Sequence, residues 1–256
     1  MTGLGRELVS GAADFLARVG AMTRFFGRLL VATPAGLLRP RLLAEQVYNA
    51  GALSLAIIMT SGLFVGMVMG LQGHDLLARI GSEESLGTGA ALTLLKELGP
   101  VVTALLFAGR AGTALASEIG LMRATDQLSA MEIMAVDPIR RVVLPRFLGG
   151  VISMPLLTAI FVTVSLFGVQ LIGVQYFGID RGQFWSEMRS YVEVADVREG
   201  LIKGLVFGVA CSFIAVFEGY NAEPTAEGVG RATTRTVVVS AVATLVLDYI
   251  VTAILL

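Results

Sequence analysis

Charged side chains stand inside segments of this chain that are otherwise apolar enough to cross a bilayer. One such segment carries Lys96, Glu97 and Arg110, and two later segments carry Lys203 and Asp248. An ionised side chain at the bilayer centre costs roughly 2.5–3.5 kcal/mol on insertion scales, so these residues usually pair with one another or line a polar path. Two acids and a base on separate helices could bind a polar ligand, carry protons or hold the helices together.

The composition sets the class of protein. Of 256 residues, 55% are hydrophobic and 15% are charged, with a mean hydropathy of +0.78, whereas soluble domains are about 25% charged. The net charge of −1 gives no indication of a nucleic-acid partner. A single cysteine excludes a disulfide within the chain, and a single histidine excludes a His-rich metal site. The sequence also has no GxxxxGK[ST] loop for binding ATP.

Five segments reach the length of about 20 residues that a membrane span requires. We therefore predict an all-α polytopic membrane protein, with a five-span domain over 47–256 and spans at about 47–71, 90–115, 149–177, 200–217 and 237–256.

Residues 1–46 form a separate amphipathic segment. Apolar side chains recur there at helical spacing, at Leu4, Leu8, Phe15, Val19, Met22, Phe26 and Leu29, and arginines interrupt them. This pattern predicts a helix lying in the membrane interface, or alternatively a soluble helix packed on a partner. Pro34 and Pro40 are predicted to break the helix before the first span.

The arginines of the connecting segments predict the orientation. Twelve lie in 1–46, 116–148 and 218–236, and four lie in the connections on the other side. Because positive charge favours the cytoplasmic side, the N-terminus is predicted to be cytoplasmic and the C-terminus to lie outside.

With this topology, three ionisable residues share the outer half of the bilayer. At 1.5 Å per residue, Glu97 and Lys203 lie about two turns and one turn into their spans, and Asp248 lies about two turns before the end of its own. They could line a cavity that opens outward or could fix the packing of the helices. Arg110 lies nearer the cytoplasm, and we predict it as a fourth residue of the substrate cavity, where it could reach a phosphate or a carboxylate. The alternative is that it anchors the helix at the interface.

Small residues recur every four positions in the first and fourth spans. The two stripes are Gly62, Gly66 and Gly70, and Gly200, Gly204, Gly208 and Ser212. Such faces let helices approach closely in lipid. The pattern is compatible with packing inside one chain and with a subunit interface.

The cytoplasmic segment between the second and third spans is predicted to form a short docking helix. Thr125 is expected to cap it, Asp126 to begin it, and Asp137–Pro138 to end it. Its apolar, methionine-containing face suits adaptable contacts with a partner, or contact with the chain's own N-terminal segment. The predicted docking residues are Arg123, Thr125, Asp126, Gln127, Leu128, Met131, Glu132, Met134, Asp137 and Pro138.

Two long motifs carry a family resemblance. ELGPVVTALLFAGRAGTALASEIGLMRATDQLSAMEIMAVDPIRRVVLPR and GYNAEPTAEGVGRATTRTVVVS resemble, in the same order, the two signatures of the MlaE/YrbE family. These proteins are permease subunits of bacterial ABC transporters that move phospholipids. The motifs cover about 70 residues, and the chain length and number of spans also agree with the family.

The resemblance implies a homodimer of permeases in the bacterial inner membrane. It implies a cytoplasmic ATPase dimer that binds ATP and Mg and docks on the loop around 125–138 as a coupling helix, while this chain carries no cofactor. It also implies a periplasmic MCE-domain carrier that exchanges phospholipid with the inner membrane, and it leaves room for a STAS-domain subunit on the ATPase. By analogy, Glu97, Lys203 and Asp248 match charged positions near the family's lipid pocket.

Two other classes of protein compete with this interpretation. A stand-alone secondary carrier would use Glu97 and Asp248 to take up protons and would need no ATPase. An intramembrane enzyme is disfavoured, because the Ser, His and Asp residues show no shared depth at which a nucleophile and a base would meet.

Overall fold

The computed structural model describes the backbone of residues 2–37 and 40–255, and the side chains of residues 16–33 and 40–255. All regular structure in these ranges is helical, which confirms the predicted all-α class. The helices are α1 (Thr2–Leu37), α2 (Pro40–Ala78), α3 (Glu83–Ala124), α4 (Gln127–Ile133), α5 (Ile139–Tyr176), α6 (Arg181–Tyr191), α7 (Val194–Tyr220) and α8 (Ala226–Leu255).

The five predicted spans are confirmed as α2, α3, α5, α7 and α8, each long and apolar enough to cross a membrane. Every one of these helices begins before its predicted start and ends close to, or beyond, its predicted end. The longest, α3, has 42 residues, so at 1.5 Å per residue it extends about 63 Å and its ends stand outside a hydrocarbon core of about 30 Å. Leu256, the predicted last residue of the fifth span, lies outside the described residues.

The bundle has two ends, which we name after their short helices. The α4 end holds α4 and the turn between α7 and α8, and the α6 end holds α6 and the turn between α2 and α3. Helix α6 was not predicted, because its segment was assigned to a loop. Asp180 caps this helix by accepting a hydrogen bond from the Gln183 N–H at 2.8 Å, and Phe184 is fully buried beside Gly87 of α3.

The N-terminal helix packs on its own chain. Phe25 and Leu29 are buried in a cluster that includes Phe217 of α7, and Arg18 pairs with the buried carboxylate of Glu218. The predicted break at Pro34 is wrong, because α1 continues to Leu37. The side chains of Leu4, Leu8 and Phe15 in the predicted stripe lie outside those that the structure describes.

The two glycine stripes are used for packing within the chain. A Cβ atom at Gly66 of α2 would overlap the Ser165 carbonyl of α5. Gly204 and Gly208 of α7 likewise face α5, where Thr158 and Met154 leave no room for a larger side chain. These close contacts place α5 between α2 and α7, and α7 in turn contacts α3 and α8. The most buried span is therefore α7, and it carries Lys203.

Candidate functional site

One lysine of α7 links three membrane spans. Lys203 Nζ donates a hydrogen bond to Glu97 Oε1 of α3 at 2.9 Å and to Thr252 Oγ1 of α8 at 2.6 Å. It also lies 3.2 Å from Asp248 Oδ1 of α8. That oxygen is buried and makes no hydrogen bond among the described residues, so its contact with Lys203 is an ion pair without hydrogen-bond alignment. The structure thus brings Glu97, Lys203 and Asp248 together.

The cluster is open on one side. The Lys203 side chain is 0% exposed, while the carboxyl side chains of Asp248 and Glu97 are 19% and 41% exposed. Burying an ammonium without partners would cost several kcal/mol, and the two carboxylates offset that cost. With all three groups ionised the cluster carries one excess negative charge. Glu97 can therefore accept a hydrogen bond from, or pair with, a cationic or hydroxyl-bearing group that approaches from its exposed side.

Thr252 is a member of the cluster that the sequence reasoning missed. It follows Asp248 by four residues on α8, so both side chains face α7 from successive helical turns. Its hydroxyl accepts from Lys203 and lies 3.4 Å from Glu97 Oε1. The spacing of four residues between Asp248 and Thr252 could have predicted it, because such residues share one face of a helix.

The charged residues of α3 lie in π-helical turns. Lys96 and Glu97 belong to the turn Leu94–Leu98, and Arg110 belongs to the turn Ala108–Gly112. Pro100 explains the first turn, because it has no N–H to donate to the carbonyl four residues earlier. A π-helical turn changes the direction in which the following side chains point, and such turns are frequent at functional sites.

Lys96 belongs to a separate ion group at the start of α7. Its ammonium lies 2.9 Å from Asp196 Oδ1 and 3.3 Å from Glu199 Oε2. Asp196 also accepts from the Glu193 N–H at 2.9 Å within a capping box, which holds the first turn of α7. Adjacent residues of one π-helical turn therefore reach different partners. Lys96 pairs with Asp196 and Glu199 in the first turns of α7, whereas Glu97 pairs with Lys203.

The structure does not bring Arg110 to the Lys203 cluster. Arg110 Nη1 donates to the Asn49 carbonyl at 2.6 Å and to Ser54 Oγ at 3.2 Å. These acceptors flank Gly51, where α2 passes through a turn and a short 3-10 segment. Thirteen residues separate Arg110 from Glu97, about 20 Å along the helix. In this structure its contacts anchor the turn of α2 at Gly51.

The predicted limits of the docking helix α4 require correction. Thr125 does not cap it, because its hydroxyl donates back to the Leu121 carbonyl at 2.9 Å and the N-cap is Asp126, at a left-handed φ of 56°. The helix begins at Gln127 and ends at Ile133, with a reversal at Ala135 whose φ is 58°. Asp137 instead accepts from the Ile139 N–H at 2.9 Å and so begins α5.

Helix α4 has one buried face and one exposed face. Leu128 is buried in the same cluster as Phe25 and Leu29 of α1, and Met131 packs against that cluster. This face therefore contacts the N-terminal segment, which was one of the two predicted alternatives. Ile133 and Met134 are 87% and 67% exposed, and Glu132 is exposed beside them. The apolar surface available to a partner is therefore at the C-terminal end of α4.

Two predicted docking residues have contacts inside the chain. Arg123 donates to the Tyr220 carbonyl and its guanidinium lies 5.9 Å from the centre of the Tyr220 ring. Gln127 donates to Thr125 Oγ1 at 3.0 Å. Arg123 thus holds the end of α7 against the end of α3. Within the described residues, no group of three or more His, Cys, Asp or Glu side chains could hold a metal ion.

Five long apolar helices, three of which are joined by a buried lysine and its two carboxylate partners, define the chain as a multi-pass membrane protein. The family described as Permease MlaE matches residues 43–254. The chain therefore belongs to the MlaE permease family, which confirms the resemblance of the two motifs.

Several curated proteins are similar over most of the chain. The intermembrane phospholipid transport system permease protein MlaE of Haemophilus influenzae is 49% identical over 256 residues, which covers 100% of this chain and 97% of that protein. A probable ABC transporter permease protein of Rickettsia typhi is 36% identical over 214 residues, 84% of this chain and 83% of the relative. The chloroplastic protein TRIGALACTOSYLDIACYLGLYCEROL 1 of Arabidopsis thaliana is 29% identical over 227 residues, 89% of this chain and 65% of the relative.

Proposed function

We propose that this chain is the membrane-spanning permease subunit of an ABC transporter that moves phospholipids between the bacterial inner membrane and a periplasmic MCE-domain carrier. The names of the Haemophilus and Rickettsia relatives support this assignment. The structural observation that carries it is the cluster of Glu97, Lys203 and Asp248, which is buried at Lys203 and open at Glu97.

The proposed orientation places the α4 end in the cytoplasm and the α6 end in the periplasm. The arginine distribution supports it, since twelve arginines belong to segments at the α4 end or to the N-terminal segment. The N-terminus is then cytoplasmic, the C-terminus is periplasmic, and the Lys203 cluster lies in the periplasmic half of the membrane.

The lipid would bind beside Glu97. The exposed carboxylate can accept from the ammonium or hydroxyl groups of a headgroup, while the hydrogen bond from Lys203 holds it in position. Acyl chains would lie on large exposed side chains of α2 and α8, including Phe64, Val68 and Tyr249.

A second copy of the chain would close this cavity. Helices α2 and α8 are the least buried spans of the bundle, and their exposed apolar faces suit contact with the same faces of a partner copy. The proposed assembly is therefore a homodimer with lipid held between the two permeases.

The ATPase would act through α4. In the proposal, a cytoplasmic ATPase dimer binds ATP and Mg and contacts Ile133, Met134 and the neighbouring Glu132, while this chain makes and breaks no bonds. Helix α3 runs without a break from the Glu97 turn to Arg123 beside α4, a distance of about 39 Å. A push on α4 would therefore be transmitted along one helix to the lipid site.

A reconstitution experiment tests this function. The chain would be purified with the ATPase and MCE-domain proteins and placed in liposomes that contain fluorescent phospholipid. We expect transfer to or from the MCE-domain protein that requires ATP. Proton-driven solute flux by the chain alone, without any ATPase, would instead establish the secondary carrier as its function.

A further inference from the structure

An apolar cavity lies at the α6 end, between α3, α5 and α7. Its volume is about 390 Å³. Its walls include Leu95 of α3, Val162 and Leu166 of α5, and Val197 and Leu201 of α7. Helix α6 covers it with Met188 and Arg189. We call it the α6 crevice.

The α6 crevice is separate from the Lys203 cluster. Leu95 and Leu201 line the crevice, and each stands two residues from a cluster member, Glu97 and Lys203 respectively. Leu201 and Lys203 lie in a regular α-helix, so at about 100° per residue their side chains point about 200° apart around α7. Helix α8, which carries Asp248, contributes no residue to the crevice wall. The two sites are therefore on opposite sides of α7.

The mouth of the crevice carries a cation. Arg189 is exposed, and among the described residues no carboxylate lies within 4.0 Å of its guanidinium. An open groove on α6 adjoins the crevice through Arg189 and adds Arg181, Trp185 and Ser186. Tryptophan and arginine are typical of the level at which headgroups meet the hydrocarbon core. A guanidinium also matches the geometry of phosphate oxygens.

The depth of the crevice suits a lipid chain. Its α5 wall runs from Thr158 to Leu166, about 12 Å along the helix, and Ala159 and Thr163 on that wall are accessible from the lipid-facing side. The crevice matches a phospholipid in the order of its parts. The Arg189 guanidinium at the mouth would bind the phosphate, and the apolar slot below it would hold an acyl chain.

We propose that the α6 crevice binds one phospholipid of the leaflet at the α6 end, with an acyl chain in the slot and its phosphate on Arg189. This site is additional to the cavity beside Glu97, and it does not depend on the proposed transport function. It gives the chain a place to hold a lipid on the outer side of its bundle, opposite the cavity that the homodimer would enclose.

The only tryptophan of the chain reports on this site. Trp185 lies in the groove that adjoins the crevice at Arg189, with its ring centre 5.5 Å from that of Phe184 and 6.3 Å from that of Phe167. The full-length chain in detergent would be titrated with phosphatidylglycerol brominated on its acyl chains, which quenches nearby tryptophan fluorescence. We expect quenching that saturates at one lipid per chain.

Matched variants assign the quenching to the crevice. Arg189→Glu should raise the half-saturating lipid concentration at least tenfold, while Arg198→Glu, an exposed arginine at the same end that does not line the crevice, should leave it unchanged. Ala159→Phe should abolish the saturable phase by filling the slot, and Leu156→Phe, one turn away and outside the crevice, should retain it. Equal titration curves for the unaltered chain, Arg189→Glu and Ala159→Phe would overturn the proposal.

A crosslinking measurement in the assembled complex separates lipid from a protein occupant. A photoreactive amino acid in place of Leu166 should form adducts with phospholipid. Adducts with a polypeptide instead would show that an apolar helix of a partner fills the crevice, and the proposal would be wrong. Both results are independent of whether the complex transports lipid.

Discussion

Replacement of Lys203 by methionine should destabilise the chain by about 3–5 kcal/mol, the usual effect of removing one partner from a buried ion pair. Lys203 is fully buried, and methionine has a side chain of similar length, so the variant removes the charge without opening a large cavity. The destabilisation comes from the carboxylates that remain. Asp248 is the main one, because its Oδ1 atom is buried and Lys203 is its only ionic partner among the described residues.

Asp248 and Glu97 should account for different shares of the stability lost in Lys203→Met. The Asp248 side chain is 19% exposed and the Glu97 side chain is 41% exposed, so water screens Glu97 more. Adding Asp248→Asn to Lys203→Met should therefore restore more than half of the lost stability, and adding Glu97→Gln should restore less. Since the residues contact one another, the effects will not be additive, and a double-mutant cycle gives the coupling.

The assay is thermal unfolding of the purified full-length chain in detergent, followed by circular dichroism. For a domain of 150–250 residues, 1 kcal/mol shifts Tm by about 2–4 °C, so Lys203→Met should lower Tm by about 6–20 °C. A Tm equal to that of the unaltered chain would refute the electrostatic reasoning. A larger rescue by Glu97→Gln than by Asp248→Asn would refute the assignment of Asp248 as the main uncompensated charge.

Three further predictions concern packing and coupling. Gly66→Ala should lower stability by about 1–3 kcal/mol because its Cβ atom meets α5 backbone, whereas Gly89→Ala, with open space around it, should have no such effect in the same thermal assay. Arg18→Ala should lower stability by about 1–3 kcal/mol because it leaves the buried Glu218 carboxylate without its partner, and restored stability in a further variant with Glu218→Gln would confirm the cause. Ile133→Asp should leave Tm unchanged because the side chain is exposed, yet reduce ATPase binding at least tenfold in a pull-down; unchanged binding would contradict the docking role.

The five membrane spans could be predicted because a span needs a long apolar run, which is visible in the sequence. Depth in the membrane can also be counted along the chain, and this count is enough to group Glu97, Lys203 and Asp248. The direction in which a side chain points could not be counted. Arg110 was grouped with the cavity for this reason, although its guanidinium contacts Asn49 and Ser54.

Local backbone departures explain the other differences. The π-helical turns around Glu97 and Arg110 depend on packing and, near Glu97, on the N–H that Pro100 lacks. The spacing of hydrophobic residues in the sequence does not indicate such turns. Asp126 adopts a left-handed φ. Because of this conformation, α4 begins at Gln127, one residue later than predicted, and Asp126 is the N-cap in place of Thr125. Helix α6 was missed because it is short and polar, and its single deep anchor, Phe184, gives little periodic signal.

In the proposed function, the Lys203 cluster handles lipid and does more than hold three helices together. The variant with Glu97→Gln, Lys203→Met and Asp248→Asn has no charge left in the cluster, so it should fold and assemble with the ATPase. The decisive measurement is ATP-driven phospholipid transfer by this assembled variant in liposomes, with thermal stability and ATPase content verified in the same preparation. If the cluster handles lipid, transfer should fall at least tenfold. Transfer at the rate of the unaltered complex would contradict this expectation, and would leave the cluster with a structural role only.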